Sequence, residues 1–280
     1  MSHDNSNRML RILDRFVSNY GARFTKREKA NFLDFCIGFF LQLGYNEDEI
    51  HIQRSRFGGR NLIIGKPDAQ ILFTAHYDTP GRNGRIALPF VETLGMVYSS
   101  LASIGIILSL MYFPKLIVSI FGIKSVLFTR LTDLWMFLML VLTFCIKNKN
   151  NHNDNTSGCL GVVKAAMSIS AIPELKDKCG FILFDNEEKG LFGSMSYAKW
   201  RRKKYPDKED FCVFNMDCIG NGDILLLAAK EKSLAWDELP ELASYLETCG
   251  FETAIRQSSI LGYVGDHYCF NRGYMLSLCK

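Results

Sequence analysis

The sequence predicts an α/β fold in which helices cover both faces of a mixed central sheet and a hydrophobic helical hairpin is inserted. Short apolar runs alternate with helical patterns along the chain, and this alternation predicts the sheet. Side chains typical of metal ligands follow several of these runs, as they would at the carboxyl edge of an α/β sheet. A long apolar stretch after Pro80 interrupts the alternation and predicts the insertion.

Composition narrows the class of protein. The chain has 280 residues, of which 48% are hydrophobic, so it can bury a full core. Its net charge of +4 is slight and dispersed, which argues against a nucleic-acid partner. Nine cysteines without a CxxC pair indicate reduced thiols in a cytosolic setting, and the polar N-terminus indicates no secretory signal peptide.

The N-terminal part contains two predicted packing helices and a hairpin. Apolar residues at helical spacing predict a helix over 6–19. Thr25 and Glu28 have the spacing of a capping box, so a second helix is expected to start at Thr25. Strands are predicted at 50–55 and 61–65, around a turn that contains two glycines.

The next predicted strand, 70–75, ends in His76 and Asp78. Alternate residues of a strand point to the same face, so the two side chains are expected on one face of the sheet. If His76 binds a metal ion, Asp78 is placed to orient the imidazole from behind.

The apolar insertion is predicted to be a membrane-embedded helical hairpin over 88–147. Residues 93–113 carry no charge, and this stretch reaches the roughly 20 residues that a membrane-spanning helix needs. The second apolar zone, 116–146, contains Arg130 and Asp133, which would pair on a helix. The segments before and after the insertion must reach the same site, so an even number of spans is expected, and two is the simplest count. Contact with membrane lipid is expected, and the missing signal peptide indicates a cytosol-facing catalytic domain. The alternative is a buried helical hairpin or a hydrophobic lid.

Two segments after the insertion carry acidic side chains in the expected positions. Asp154 lies just before a predicted helix, where the helix dipole helps to hold a carboxylate ionised. Glu187 and Glu188 follow the predicted strand 180–185, and adjacent carboxylates suit a division of labour between metal binding and general base catalysis. The alternative for the glutamate pair is a solvated acidic turn.

The C-terminal third supplies the remaining candidates. Asp217 follows the predicted strand 211–216, and His267 lies with Asp266 in a loop near the end of the chain. Two histidines together with three carboxylates, with a further glutamate left over, suit a pair of zinc ions bridged by a carboxylate. The donor types do not exclude cobalt or manganese.

These segments in this order resemble the M28 family of zinc aminopeptidases, which have the zinc exopeptidase fold. The resemblance covers about 45–85 and 150–280. It implies a catalytic domain formed by 1–87 and 148–280, with 88–147 inserted. It also implies a metallopeptidase that acts on peptides with a free N-terminus.

The resemblance implies a role for each candidate residue. Asp154 would bridge two zinc ions, with His76 and Asp217 completing one ion and Glu188 and His267 completing the other. Two further residues would act without binding the metal. Glu187 would be the general base, and Asp78 would orient His76.

Two features depart from the family pattern, and two other functions stay open. The apolar insertion separates His76 from Asp154, and Gly265 stands where a serine is common. The first alternative function is a single-zinc glutaminyl cyclase, which forms pyroglutamate by cyclisation. The second is a binding protein without catalytic activity on a peptidase fold.

Overall fold

The structure is a computed structural model, and it describes most of the chain apart from the N-terminus and part of the apolar insertion. The described residues are 14–16, 18–66, 68–81, 105, 108–109, 112–122, 125–145, 147–149, 151–208, 210–259 and 262–279.

The described residues form an eight-stranded mixed sheet with strand order β1-β2-β4-β3-β5-β8-β6-β7. The strands are β1 (Ile50–Arg54), β2 (Arg60–Gly65), β3 (Ile71–His76), β4 (Cys179–Phe184), β5 (Cys212–Met216), β6 (Ile224–Ala229), β7 (Glu252–Gln257) and β8 (Gly273–Cys279). Strands β4, β3, β5 and β8 run parallel to one another, while β2 and β6 pair antiparallel to β4 and β8. The predicted mixed sheet is therefore confirmed.

Helices lie against both faces of the sheet, as predicted. The α-helices of the described residues are α1 (Lys26–Gln42), α2 (Val126–Cys145), which belongs to the apolar insertion, α3 (Gly158–Ser170), α4 (Pro173–Lys176), α5 (Phe192–Lys204), α6 (Glu231–Leu234) and α7 (Leu239–Thr248). Short turns of 3-10 helix lie at Glu47–Glu49, Arg56–Gly58 and Asp266–Cys269, and a wide helical turn lies at His152–Ser157.

Alternation along β4 divides the core into two layers. Phe181 packs with the apolar faces of α1 and α3, whereas Ile182 and Phe184 pack with α5. Every residue of β4 is buried, which explains why its sequence is a continuous apolar run without polar alternation. The strand ends that carry the candidate ligands therefore lie between the layer of α1 and α3 and the layer of α5.

Helix α1 begins where the sequence predicts. The Thr25 hydroxyl accepts the backbone N–H of Glu28, and the Glu28 carboxylate accepts the N–H of Thr25, so both halves of the capping box are present. These bonds satisfy donors that a helix N-terminus otherwise leaves unpaired.

A buried ion pair attaches α1 to the sheet. Lys29 of α1 donates to the carboxylate of Asp185, which directly follows β4, and the two side chains are only 8% and 5% exposed. The same carboxylate accepts the backbone N–H groups of Arg60 and Asn186. The ion pair therefore fixes α1, β2 and the segment that leads into Glu187.

The apolar insertion differs from the prediction of a membrane-embedded hairpin. Most of the first expected span, 93–113, lies outside the described residues. In the described part, residues 112–120 are helical and α2 follows. Because α2 contains Arg130 and Asp133, its uncharged part is shorter than the roughly 20 residues that a membrane span needs. Asp133 pairs with Lys115 at 2.8 Å, whereas the sequence suggested Arg130.

No helix among the described residues is both long enough and apolar enough to cross a bilayer. The expected membrane localisation is therefore wrong, and the expected lipid partner loses its support. The described part of the insertion is not a buried hairpin either, because Ile120, Phe121 and Val126 are largely exposed.

The Lys29–Asp185 pair generates a stability prediction. We expect Lys29→Met to lower the free energy of unfolding by about 3 kcal/mol, because it leaves a buried carboxylate without its cation. The matched control is Lys66→Met, which removes the exposed pair between Lys66 and Asp177 and should cost less than about 1 kcal/mol. Urea denaturation measures both, and equal effects would contradict a special role for the buried pair.

Candidate metal centre

The ends of three parallel strands place one histidine among carboxylates. His76 is the last residue of β3, which lies between β4 and β5, and its side chain is fully buried. Its Nε2 lies 3.2 Å from Asp154 Oδ1 and 3.6 Å from Asp217 Oδ1. Glu187 Oε2 lies 4.0 Å from the same nitrogen. Three separate segments therefore meet at this imidazole.

Asp78 connects the histidine with the glutamate pair. Its backbone carbonyl lies 3.1 Å from His76 Nδ1, while its carboxylate lies 3.7 Å from that nitrogen. The carboxylate accepts the backbone N–H groups of Glu187, at 3.0 Å, and Glu188, at 3.3 Å. The main chain of Asp78 thus contacts the imidazole, and its side chain fixes the turn that carries both glutamates.

The side chain of Asn155 holds the loop of Asp154 against the end of β5. Its Nδ2 donates to the carbonyl of Met216 at 2.9 Å. Its Oδ1 accepts the N–H of Gly158 at 2.9 Å and that of Cys218 at 3.3 Å. Because one amide binds the residues on both sides of Asp217, the Asp154 and Asp217 segments are fixed relative to each other.

A buried arginine holds the chain beyond β3. Arg23 donates from its guanidinium to the carbonyls of Tyr20 and Tyr77 and to the hydroxyl of Thr156. Its backbone N–H donates to the hydroxyl of Thr79 at 3.0 Å. Burial lowers the pKa of Arg23, and the nearby acidic groups, Asp78 among them, oppose that effect.

The carboxylates and the imidazole shift one another's proton affinities. Burial alone would lower the pKa of His76, but Glu187, Asp217 and Asp78 outweigh it and raise that pKa well above its usual value. Burial raises the pKa of Glu187 well above its usual value, and the neighbouring Glu188 and Asp217 raise it further. Such a concentration of acidic groups favours a bound cation.

Ligand-type side chains converge closely enough to hold a metal ion. Among the described residues, three groups have ligand atoms that all lie within 4.8 Å of one another. The groups are His76 with Asp154 and Glu188, His76 with Glu187 and Asp217, and Asp154 with Asp217 and Cys218. One imidazole with several carboxylates is a donor set that suits zinc, so these residues fit that ion.

His267 lies outside these three groups. It is fully buried, and its Nε2 lies 2.8 Å from the hydroxyl of Ser258. A methyl group added at Gly265 would lie 3.6 Å from His267 Nδ1 and 3.4 Å from Asp217 Oδ2, so that nitrogen and that carboxylate face the same space. Burial lowers the pKa of His267 to about 3, which keeps the ring in the neutral form that binds metals.

Asp266 directly precedes His267 and adds a further acidic group to the region. It is fully buried, and neither carboxylate oxygen has a hydrogen-bond partner of standard geometry among the described residues. Burial raises its pKa to about 7, while the His76 charge acts in the opposite direction.

Local sequence patterns do not identify most of the residues that support the site. Lys29 and Arg23 have no local pattern that sets them apart from surface cations, and their partners are distant in the chain. Asn155 and Cys218 directly follow Asp154 and Asp217, so the sequence itself places them beside candidate ligands. A polar residue next to a candidate ligand was therefore the sequence signal that could have identified these two supporting residues.

The comparison with protein-family models agrees with the site. Residues 147–275 match the model of Peptidase family M28, a range that includes every candidate ligand except His76. No curated protein sequence matches the chain.

Solved structures with similar folds include an aminopeptidase and glutaminyl cyclases. The LapA aminopeptidase of Legionella pneumophila is 14% identical with a TM-score of 0.56, and the match covers 97% of this chain and 60% of that chain. A glutaminyl cyclase of Porphyromonas gingivalis is 16% identical with a TM-score of 0.58, covering 97% of this chain and 82% of that chain. The glutaminyl cyclase of an Acidobacteriales bacterium is 14% identical with a TM-score of 0.55, covering 97% and 78%.

At these identities the similarity concerns the fold. The chain has an α/β fold of the M28 peptidase type, and it spans about 60% of the length of the LapA aminopeptidase. Aminopeptidases and glutaminyl cyclases both occur on this fold, so the reaction has to be argued from the site.

Asp154 generates a prediction about metal binding. We expect Asp154→Asn to weaken zinc binding at least tenfold, because even residues outside the ligand set typically change metal affinity by about 10- to 100-fold. Elemental analysis after dialysis and titration against a chelator measure the effect. The control is Asp223→Asn, an exposed carboxylate next to β6. Wild-type zinc content in Asp154→Asn would contradict the assignment.

Asp78 generates a prediction about the turn of the two glutamates. We expect Asp78→Asn to speed hydrogen exchange at the amides of Glu187 and Glu188, because these two N–H groups bond to different carboxylate oxygens and asparagine has an NH2 donor in place of one of them. Mass spectrometry of the peptide that contains the turn measures the exchange. Asp237→Asn, at an exposed position, should leave it unchanged. An unaltered exchange rate in Asp78→Asn would mean that the turn is held by other contacts.

Proposed function

We propose that this protein is a zinc-dependent aminopeptidase that hydrolyses the N-terminal bond of peptides. One observation carries the proposal: His76, Asp154, Glu187 and Asp217 come from four segments, yet the carboxylates lie within 4.0 Å of one nitrogen of the imidazole. Such a costly concentration of buried acids is typical of a site that holds metal cations.

Two ions are expected, and the proposed ligands divide between them. His76 and Asp217 would hold one ion, Glu188 and His267 would hold the other, and Asp154 would contribute to both. The shared space between His267 Nδ1 and Asp217 supports this placement of the second histidine. Bound zinc would lower the pKa of a water molecule and polarise the scissile carbonyl.

Glu187 is the proposed general base. Its Oε2 lies 4.0 Å from His76 Nε2, and from this position beside the proposed ligands it would accept a proton from the attacking water and pass that proton to the leaving amine. The N–H bond to Asp78 sets the position of its backbone, so the carboxylate projects beside the ligands. Glu188 is one residue further along the same turn and supplies a ligand.

The charge of the centre supports a substrate with a free N-terminus. The carboxylates outnumber the cationic groups around His76, and a protonated α-amine is the part of a peptide that such a site attracts. Peptides with a blocked N-terminus would lack that interaction.

A single-zinc glutaminyl cyclase is the second candidate. It is favoured by the fold similarity to the Porphyromonas gingivalis enzyme and by the position of His267 outside the three ligand groups. In that reaction the N-terminal amine attacks the side-chain amide carbonyl and ammonia leaves. Metal stoichiometry and product mass distinguish the two, since hydrolysis adds water to a peptide and cyclisation removes ammonia.

The decisive variant is Glu187→Gln. We expect hydrolysis of unblocked peptides to fall by about 10²- to 10⁴-fold with zinc content unchanged, because the side chain can no longer accept a proton. Peptide turnover by mass spectrometry and elemental analysis measure both quantities. The control substrate is the same peptide with an acetylated N-terminus, which the wild type should not cleave. An active Glu187→Gln with full zinc would overturn the role of this glutamate.

A further inference from the structure

A groove opens beside α5, between the turn Arg56–Gly58 and the turn Asp266–Cys269. Its volume is about 460 Å³, which is within the range of small-molecule binding sites. Leu191, Phe192 and Met195 of the α5 region give it an apolar wall. Phe57 extends that wall, because its ring centre lies 4.7 Å from that of Phe192 although the side chain is 72% exposed.

The charges of the groove have one sign. Arg56, Lys199 and Arg202 line it, and no aspartate or glutamate does so among the described residues. A further cation lies behind the wall, since Lys230 Nζ is 4.7 Å from the ring centre of Tyr268, which also lines the groove. Unbalanced cations around an apolar cavity are complementary to an anionic ligand.

The groove shares its framework with the metal centre. Asn186, directly before Glu187, donates from its side chain to the carbonyl of Arg56 at 3.3 Å. Leu191 donates its backbone N–H to the carbonyl of Glu187 at 3.0 Å. On the other wall, Tyr268 directly follows His267. The same short segments therefore carry the proposed ligands, the base and the groove.

We propose that this groove binds a carboxylate of the substrate on the C-terminal side of the cleaved bond, a role that rests on the proposed aminopeptidase function. The groove has cationic side chains without acidic ones among its described lining residues, so it suits the anionic part of a peptide whose α-amine lies at the metal centre. The groove offers that place, and it gives the enzyme a preference for acidic or very short peptides. The carboxylate belongs either to an acidic side chain or to the C-terminus.

Three matched peptides separate these two sources. They are leucyl-alanyl-alanine amide without a carboxylate, the same peptide with a free C-terminus, and leucyl-aspartyl-alanine amide with a side-chain carboxylate. We expect kcat/KM for at least one carboxylate peptide to exceed that for the neutral amide by about tenfold, which corresponds to one charge-assisted contact. The peptide that gains identifies the source, and added salt should reduce the gain.

The variants test whether the groove is responsible. In Lys199→Gln/Arg202→Gln we expect the ratio of kcat/KM between the carboxylate peptide and the neutral amide to fall to about one. The matched control is Lys203→Gln, an exposed lysine of the same helix that does not line the groove, and it should keep the wild-type ratio. Thermal melting checks that all variants fold. A ratio of one in the wild type, or an unchanged ratio in the double variant, would overturn the proposal.

A binding measurement separates this proposal from the function on which it rests. Calorimetry with each of the two carboxylate peptides, compared between wild type and the double variant, does not need turnover. Binding lost in the double variant, with no hydrolysis by the wild type, would support the groove and overturn the aminopeptidase. Hydrolysis of the neutral amide without any carboxylate binding would support the aminopeptidase and overturn the groove.

Discussion

Mutual repulsion among largely buried carboxylates is the constraint on which the site depends. Asp154, Glu187 and Asp217 approach the His76 imidazole, and Asp78 lies on its other side. Like charges a few ångströms apart cost roughly 4 kcal/mol per pair at the effective dielectric of a protein, so the cluster would disperse without compensation. Protonation of the His76 imidazole offsets part of this repulsion when no metal is bound, and metal ions would offset it when they bind to the deprotonated ring.

The surrounding structure resists this repulsion mainly through contacts to the backbone. Asp78 accepts two N–H groups from the glutamate turn, and Asn155 binds both sides of Asp217. The buried pair of Lys29 with Asp185 fixes the approach to that turn from α1. None of these contacts uses the side chain of a candidate ligand, so the ligand atoms stay available for metal binding.

The same charge distribution has consequences for substrates. An acidic centre and a cationic groove, held by the turn of Glu187 and the turn of His267, give the site opposite charges at its two ends. A short peptide with a free amine and a carboxylate has the complementary arrangement. The fold itself does not decide between hydrolysis and cyclisation, because both reactions occur on it and the bound metal and the nucleophile determine which proceeds.

The sequence by itself determined the α/β class, the capping box of α1 and the positions of the candidate ligands after β3, β4 and β5. These are local signals, since periodicity, capping and strand ends are encoded within a few residues. Only the tertiary structure decided that Lys29 binds Asp185 and that His267 lies apart from the three ligand groups. Such outcomes depend on contacts between residues far apart in the chain, and a local pattern contains no record of its distant partner.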